Sequence, residues 1–141
     1  MQPIIEFESI EQAKKYLKEW QTRLFLDDWI IRLDLVDHDQ IGDDRFAEII
    51  SVKVCKTAII RLRRLDNAKS LPIERQQTEA FCMEKALVHE LLHLKFSFTD
   101  AAQDTIEGNY MRECEHTLIE QIAKSLIMAK YNLGLSFFVN F

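Results

Sequence analysis

Residues 87–94 read LVHELLHL, and this stretch predicts a buried helix that carries three ionisable side chains. An α-helix advances about 100° per residue, so side chains four residues apart lie almost above one another. His89 and His93 therefore share one face, and Glu90 lies at the edge of that face. The other residues of the stretch are apolar, which is typical of a helix packed into a core. Buried ionisable groups need partners, and one divalent cation would serve both imidazoles.

The HExxH pattern has two interpretations. In one, His89 and His93 are ordinary helix histidines and Glu90 is a solvated charge. In the other, the two histidines bind Zn²⁺, and Glu90 acts as general base on a water held by the metal. The second interpretation accounts for all three ionisable side chains together, and we adopt it as the prediction.

A third zinc ligand must come from elsewhere, because two imidazoles alone bind zinc weakly. The metzincin pattern HExxHxxGxxH is excluded, since this chain has Phe96 and Thr99 where that pattern needs glycine and histidine. The next predicted helix offers Glu115 and His116, which lie near its apolar stripe. That stripe comprises Ile119, Ile122, Ala123 and Leu126.

Glu115 projects from the middle of this stripe and is the predicted third ligand, with His116, towards one side, as the alternative. Whichever of the two does not bind the metal is expected to orient the site or to stabilise a developing oxyanion. Glu120 is more peripheral and is expected to orient a ligand imidazole. Tyr110, earlier on the same helix, is either a packed aromatic or a hydrogen-bond donor to a tetrahedral intermediate.

Periodicity over the rest of the chain predicts one α+β domain spanning residues 1–141. We expect an N-terminal helix, a small antiparallel or mixed sheet of about three strands, the histidine-bearing helix and a C-terminal helix. The expected helices cover 10–25, 74 or 78 to 96, and 109–131, the strands 29–36, 46–54 and 57–62, and the loops 37–45 and 97–105. The tail 135–139 forms a last strand or an apolar arm.

The composition indicates which binding partners and which cellular compartment are expected. The net charge of −5 argues against a nucleic-acid partner, and the one basic run, 61–64, is interpreted as the solvated end of a strand. Three scattered cysteines indicate reduced thiols and a cytoplasmic protein. The sequence shows no secretory signal and no apolar run of about 18 residues, so no membrane partner is expected.

The two motif-bearing segments, 87–94 and 115–123, resemble the gluzincin side of the zincin metallopeptidases, in particular small HExxH proteins of bacteria and phages. The resemblance covers the strand region only in outline. It implies a zincin-like core in which the active helix lies beneath an antiparallel sheet whose edge strand pairs with an extended peptide. It also implies His89, His93 and Glu115 as ligands and Glu90 as general base.

The function expected from these residues is zinc-dependent hydrolysis of peptide bonds in a peptide or protein substrate. The alternative is a non-catalytic interaction module in which zinc only ties two helices together. Such a structural site would be closed by four protein ligands, and would therefore use both Glu115 and His116. A third hypothesis is a hydrolase that acts near nucleic acid through residues 61–64, against which the net charge weighs.

Overall fold

The computed structural model describes residues 1–42, 45–64, 82–96, 105–134 and 136–139. Over these residues the α+β class is confirmed, with an N-terminal helix, a mixed three-stranded sheet and helices after it. In chain order the elements are α1 (Ile10–Arg23), β1 (Ile30–Val36), α2 (His38–Ile41), β2 (Ala47–Val52), β3 (Thr57–Arg63), α3 (Met83–Leu92), α4 (Ile106–Tyr131) and α5 (Ser136–Val139).

The sheet has the order β1-β3-β2, with β3 at its centre. β1 runs parallel to β3, and β2 runs antiparallel to it. Successive side chains of a strand point to opposite faces, so one face of β3 carries Ile60 and Leu62, which are completely buried. Arg61, on the other face, pairs with Glu48 of β2. α3 packs against β2 and β3, so the predicted motif lies under that half of the sheet.

One hydrophobic cluster joins the sheet to the helices. α3 is deeply buried in this cluster, because apolar residues lie on both sides of its motif. The main members of the cluster are Leu17, Trp20, Leu33, Ile60, Leu62, Leu87, Leu91, Ile119, Ala123, Ile127 and Phe138. The motif helix is therefore buried, as its composition predicts.

An unbroken helix from residue 74 or 78 through 96 is wrong, and so is the predicted start of the C-terminal helix. Cys82 is extended and caps α3, its thiol accepting a hydrogen bond from the N–H of Lys85, so the helix begins at Met83. The proposed starts at residues 74 and 78 lie outside the described residues. α4 begins three residues earlier than expected, because the hydroxyl of Thr105 accepts a hydrogen bond from the N–H of Gly108 and caps the helix there.

Two segments differ from the predicted loop and strand. α2 forms a short helical turn within 37–45, where a loop was expected, while Asp43 and Asp44 lie outside the described residues. The tail forms the short helix α5, so the strand alternative is wrong, whereas the burial of Phe138 in the core agrees with the alternative of an apolar arm. The predicted loop over 97–105 lies outside the described residues, apart from Thr105.

No helix that the structure describes has both the length and the apolarity needed to cross a bilayer.

Candidate metal centre

α3 places its two histidines on one face. His89 lies within the helix, and His93 is its C-cap residue, with helical backbone angles of φ −60° and ψ −23°. The helical geometry thus continues through His93, and the two ring centroids are 5.1 Å apart. The shared face predicted from the spacing is what the structure shows.

α4 brings a third imidazole to the same place. The ring centroid of His116 is 4.6 Å from that of His89 and 5.9 Å from that of His93. Each of the three residues offers one ring nitrogen, and these atoms lie within 4.8 Å of one another. The three histidines can therefore serve as ligands of a single metal ion.

Glu115 is not a member of this group, although the sequence favoured it over His116. Ile122 and Leu126 belong to the apolar stripe predicted to be buried, but both remain partly exposed. The buried positions of α4 are Gly108, Ile119, Ala123, Ile127 and Tyr131. This face is turned towards His116, and Glu115 points about 100° away from His116 around the helix. The structure therefore brings His116 to the site in place of Glu115.

The buried ring of His89 has one partnered nitrogen and one unpartnered nitrogen. Nδ1 lies 2.5 Å from Oε2 of Glu120, which is the contact expected of a residue that orients this imidazole. Nε2 is buried, and no described residue gives it a hydrogen bond. A buried polar atom without a partner is costly, and a metal ion would satisfy it. The donor set thus fits a zinc ion, for which imidazole nitrogen is a preferred ligand.

Glu120 determines which nitrogen of His89 carries the hydrogen. Burial opposes ionisation of Glu120, but the hydrogen bond from His89 and the positive charge of Lys85 outweigh it and lower the pKa of Glu120 to about 2. An ionised carboxylate can only accept hydrogen bonds, so we assign the hydrogen to Nδ1 of His89. In the neutral ring, the lone pair is then on Nε2, the atom without a protein partner.

His93 is neutral at physiological pH. Burial, followed by the charges of His89 and His116, lowers the pKa of His93 to about 4. A neutral imidazole is the form that binds metal ions. No proton therefore has to be displaced from His93 when a cation enters near pH 7.

Glu90 is a buried carboxyl group without a hydrogen-bond donor among the described residues. Its exposed fraction is 7%. Burial raises the pKa of Glu90 to about 7, with the charge of His89 acting in the opposite direction. Glu48 of β2 and Arg45, two residues before that strand, also act on this carboxyl. The group thus lies within electrostatic reach of β2, with a pKa suited to proton transfer at neutral pH.

Lys85 is part of the site, and the sequence reasoning missed it. Its Nζ lies 2.5 Å from Oε1 of Glu120. The sequence could have indicated this position, because Lys85 precedes His89 by four residues and therefore shares its helical face. Tyr110 is not a packed aromatic, since its exposed fraction is 68%, and it lies about 120° around the helix from His116.

Searches against protein-family models, curated proteins and solved structures gave no match to this chain. The chemistry of the three histidines and of the carboxyl groups around them is therefore the basis for assigning a function.

Proposed function

We propose that this protein is a zinc-dependent metallopeptidase in which His89, His93 and His116 bind the metal. The observation that carries the proposal is the convergence of three imidazoles, together with the buried Nε2 of His89, to which no described residue gives a hydrogen bond. Three protein ligands leave one position of a tetrahedral zinc free, which is the arrangement of catalytic zinc sites. A structural site would need a fourth protein ligand, and the group found among the described residues has three members.

Glu90 is the general base of the proposed reaction. Zinc, when bound, would act as a Lewis acid that polarises the scissile carbonyl group and acidifies a water molecule. Glu90 accepts a proton from the attacking water and then donates it to the leaving amine. The raised pKa supports both steps, because a carboxyl group with a pKa of about 7 can accept and release a proton near neutral pH.

The proposed substrate is an extended segment of a peptide or protein. Among the residues that the structure describes, β2 is an edge strand of the sheet, and one side of its backbone has no neighbouring strand there. Such an edge can pair with an extended chain through main-chain hydrogen bonds. The electrostatic influence of Arg45 and Glu48 on Glu90 supports binding along this edge rather than along β1. We place the activity in the cytoplasm, because all three cysteines are free thiols.

The substitution Glu90→Gln tests this function. It keeps the shape of the side chain but removes the base, so we expect hydrolysis to fall by about 10²- to 10⁴-fold. Zinc content, measured by elemental analysis, should remain that of the unmodified protein. Hydrolysis is best followed by mass spectrometry on a complex peptide mixture, which presupposes no cleavage specificity. Glu113→Gln, an exposed change of the same chemistry on α4, is the matched control and should retain full activity.

Two results would contradict the proposal. Full hydrolysis by Glu90→Gln would remove Glu90 from the mechanism. Zinc binding by the unmodified protein without cleavage of any peptide would overturn the peptidase assignment and favour the non-catalytic module.

A further inference from the structure

We propose that Lys85 is a positioning residue of the metal centre, which holds Glu120 in the orientation that fixes the ring of His89. This inference rests on the zinc site proposed above. It assigns a role to a lysine that touches neither the metal ligands nor Glu90 through any hydrogen bond in the described structure, and that acts through Glu120 alone.

Lys85 and His89 each contact one oxygen of the same carboxylate, that of Glu120. Lys85 and His89 lie four residues apart on α3 and therefore on the same face. Nζ of Lys85 is 2.5 Å from Oε1 of Glu120, and Nδ1 of His89 is 2.5 Å from Oε2. Both oxygens of a side chain from α4 are thus held by neighbouring turns of α3.

Burial separates Lys85 from an ordinary surface ion pair. Its side chain is 12% exposed, that of His89 is 7% exposed, and that of Glu120 is 27% exposed. Water competes poorly for charged groups in such surroundings, so the contacts hold one geometry. An exposed lysine would exchange its partner with solvent and would not constrain the carboxylate.

A second lysine near Glu120 allows a comparison with Lys85. Lys124, one turn after Glu120 on α4, lies 4.0 Å from the same Oε1 atom, and its side chain is 38% exposed. Both lysines bring a positive charge to the same oxygen, but only Lys85 lies within hydrogen-bond distance of it in the described structure. A positioning role therefore belongs to Lys85 and not to Lys124.

The consequence for the metal follows from the freedom of a glutamate side chain. Held only by His89, Glu120 would sample several rotamers, and each departure would leave Nδ1 without its acceptor. Anchoring Oε1 keeps Oε2 in place, and the ring of His89 then keeps Nε2 available to a cation. Partners that orient ligand histidines in this way typically contribute about 10- to 100-fold to metal affinity.

The sign of the effect separates positioning from simple electrostatics. The ammonium group of Lys85 also repels a cation bound nearby. If repulsion were its main effect, removing the charge would strengthen zinc binding. If Lys85 positions Glu120, removing it weakens zinc binding despite the lost repulsion.

The test compares zinc affinity, measured by competition with a chromophoric chelator, in Lys85→Met and Lys124→Met. We expect Lys85→Met to weaken binding about tenfold, and Lys124→Met to change it by less than about twofold. Methionine keeps most of the length and the apolar body of lysine, so the packing is retained. Should Lys85→Met not fold, Lys85→Leu also removes both the charge and the donor, and weaker zinc binding than in Lys124→Leu is again expected.

A second measurement detects the ring itself. Nitrogen NMR of the zinc-free protein reports which nitrogen of His89 carries the hydrogen. We expect Nδ1 in the unmodified protein and in Lys124→Met, and a mixture of the two tautomers in Lys85→Met. A role confined to fold stability would lower the unfolding free energy without changing this tautomer.

The outcomes distinguish the two proposals. If the unmodified protein binds zinc and Lys85→Met binds it equally or more tightly, the positioning role is overturned while the proposed function stands. If the unmodified protein binds no zinc near neutral pH, the proposed function is overturned, and the positioning role with it.

Discussion

At the scale of single residues, His116 changes the charge of the proposed site. A carboxylate ligand would neutralise part of the charge of a zinc ion, whereas three neutral imidazoles leave its full double charge. A more positive centre polarises a carbonyl group more strongly and acidifies water further. A site with His116 as third ligand, in place of the predicted Glu115, is thus expected to be more electrophilic.

We expect His116→Ala to weaken zinc binding by more than about 100-fold, because it removes a direct ligand and not merely an orienting partner. Glu115→Ala, the neighbouring position on the same helix, should change zinc affinity by less than about threefold, because its side chain points away from the ring cluster. Competition with a chelator measures both constants. A larger loss for Glu115→Ala than for His116→Ala would restore Glu115 as the ligand.

At the scale of elements, α3 is fixed at its first turn by a buried carboxylate. Glu84 is completely buried. It accepts hydrogen bonds from Nε1 of Trp20 at 2.9 Å, Nζ of Lys130 at 2.8 Å, the hydroxyl of Tyr131 at 2.6 Å and the N–H of Ile4 at 3.0 Å. These donors belong to α1, to the last turn of α4 and to the N-terminal segment. Glu84 therefore sets the position of the motif helix relative to its neighbours.

We expect Glu84→Ala to lower the free energy of unfolding by about 3–5 kcal/mol, since it leaves the ammonium group of Lys130 buried without its main partner. Glu19→Ala is the matched control. Glu19 also pairs with Lys130, at 3.0 Å, but its side chain is 38% exposed, so its loss should cost about 1 kcal/mol or less. Urea unfolding followed by circular dichroism measures both values, and equal losses would contradict the role assigned to Glu84.

At the scale of the whole molecule, the candidate site lies where α4 leaves the core. Ile119 and Ala123 are completely buried, whereas Tyr110 and Leu118 are exposed. His116 is the residue through which the less buried half of α4 would be tied to α3. A metal bound at this point would therefore stabilise the packing of the two helices.

Zinc should consequently raise the stability of the folded chain. A ligand that binds only the folded state, at about 1,000 times its dissociation constant, adds about 4 kcal/mol. For a domain of this size we expect a rise in Tm of about 10 °C, reversed by a chelator. Thermal unfolding with and without zinc measures it. Glu113→Gln should show the full rise and His116→Ala little of it; an undiminished rise in His116→Ala would place the zinc elsewhere.

The sequence alone determined the features that depend on local periodicity. The pairing of His89 with His93 follows from the helical repeat, and the strands and helices follow from repeats of apolar residues. These patterns gave the α+β class and the motif helix. They did not give the start of that helix, because the pattern of apolar residues does not reveal that the backbone of Cys82 is extended.

Only the tertiary structure decided which residues meet across helices. The third histidine depends on the rotation of α4 about its own axis, and both Ile122 and Ile127 are apolar enough to face a core. Packing buried Ile127 and left Ile122 partly exposed, which turned His116 towards α3. The contact of Lys85 with Glu120 has the same origin. Spacing along a chain fixes neighbours within one helix, whereas the rotation of one helix against another is set by the packing of the whole core.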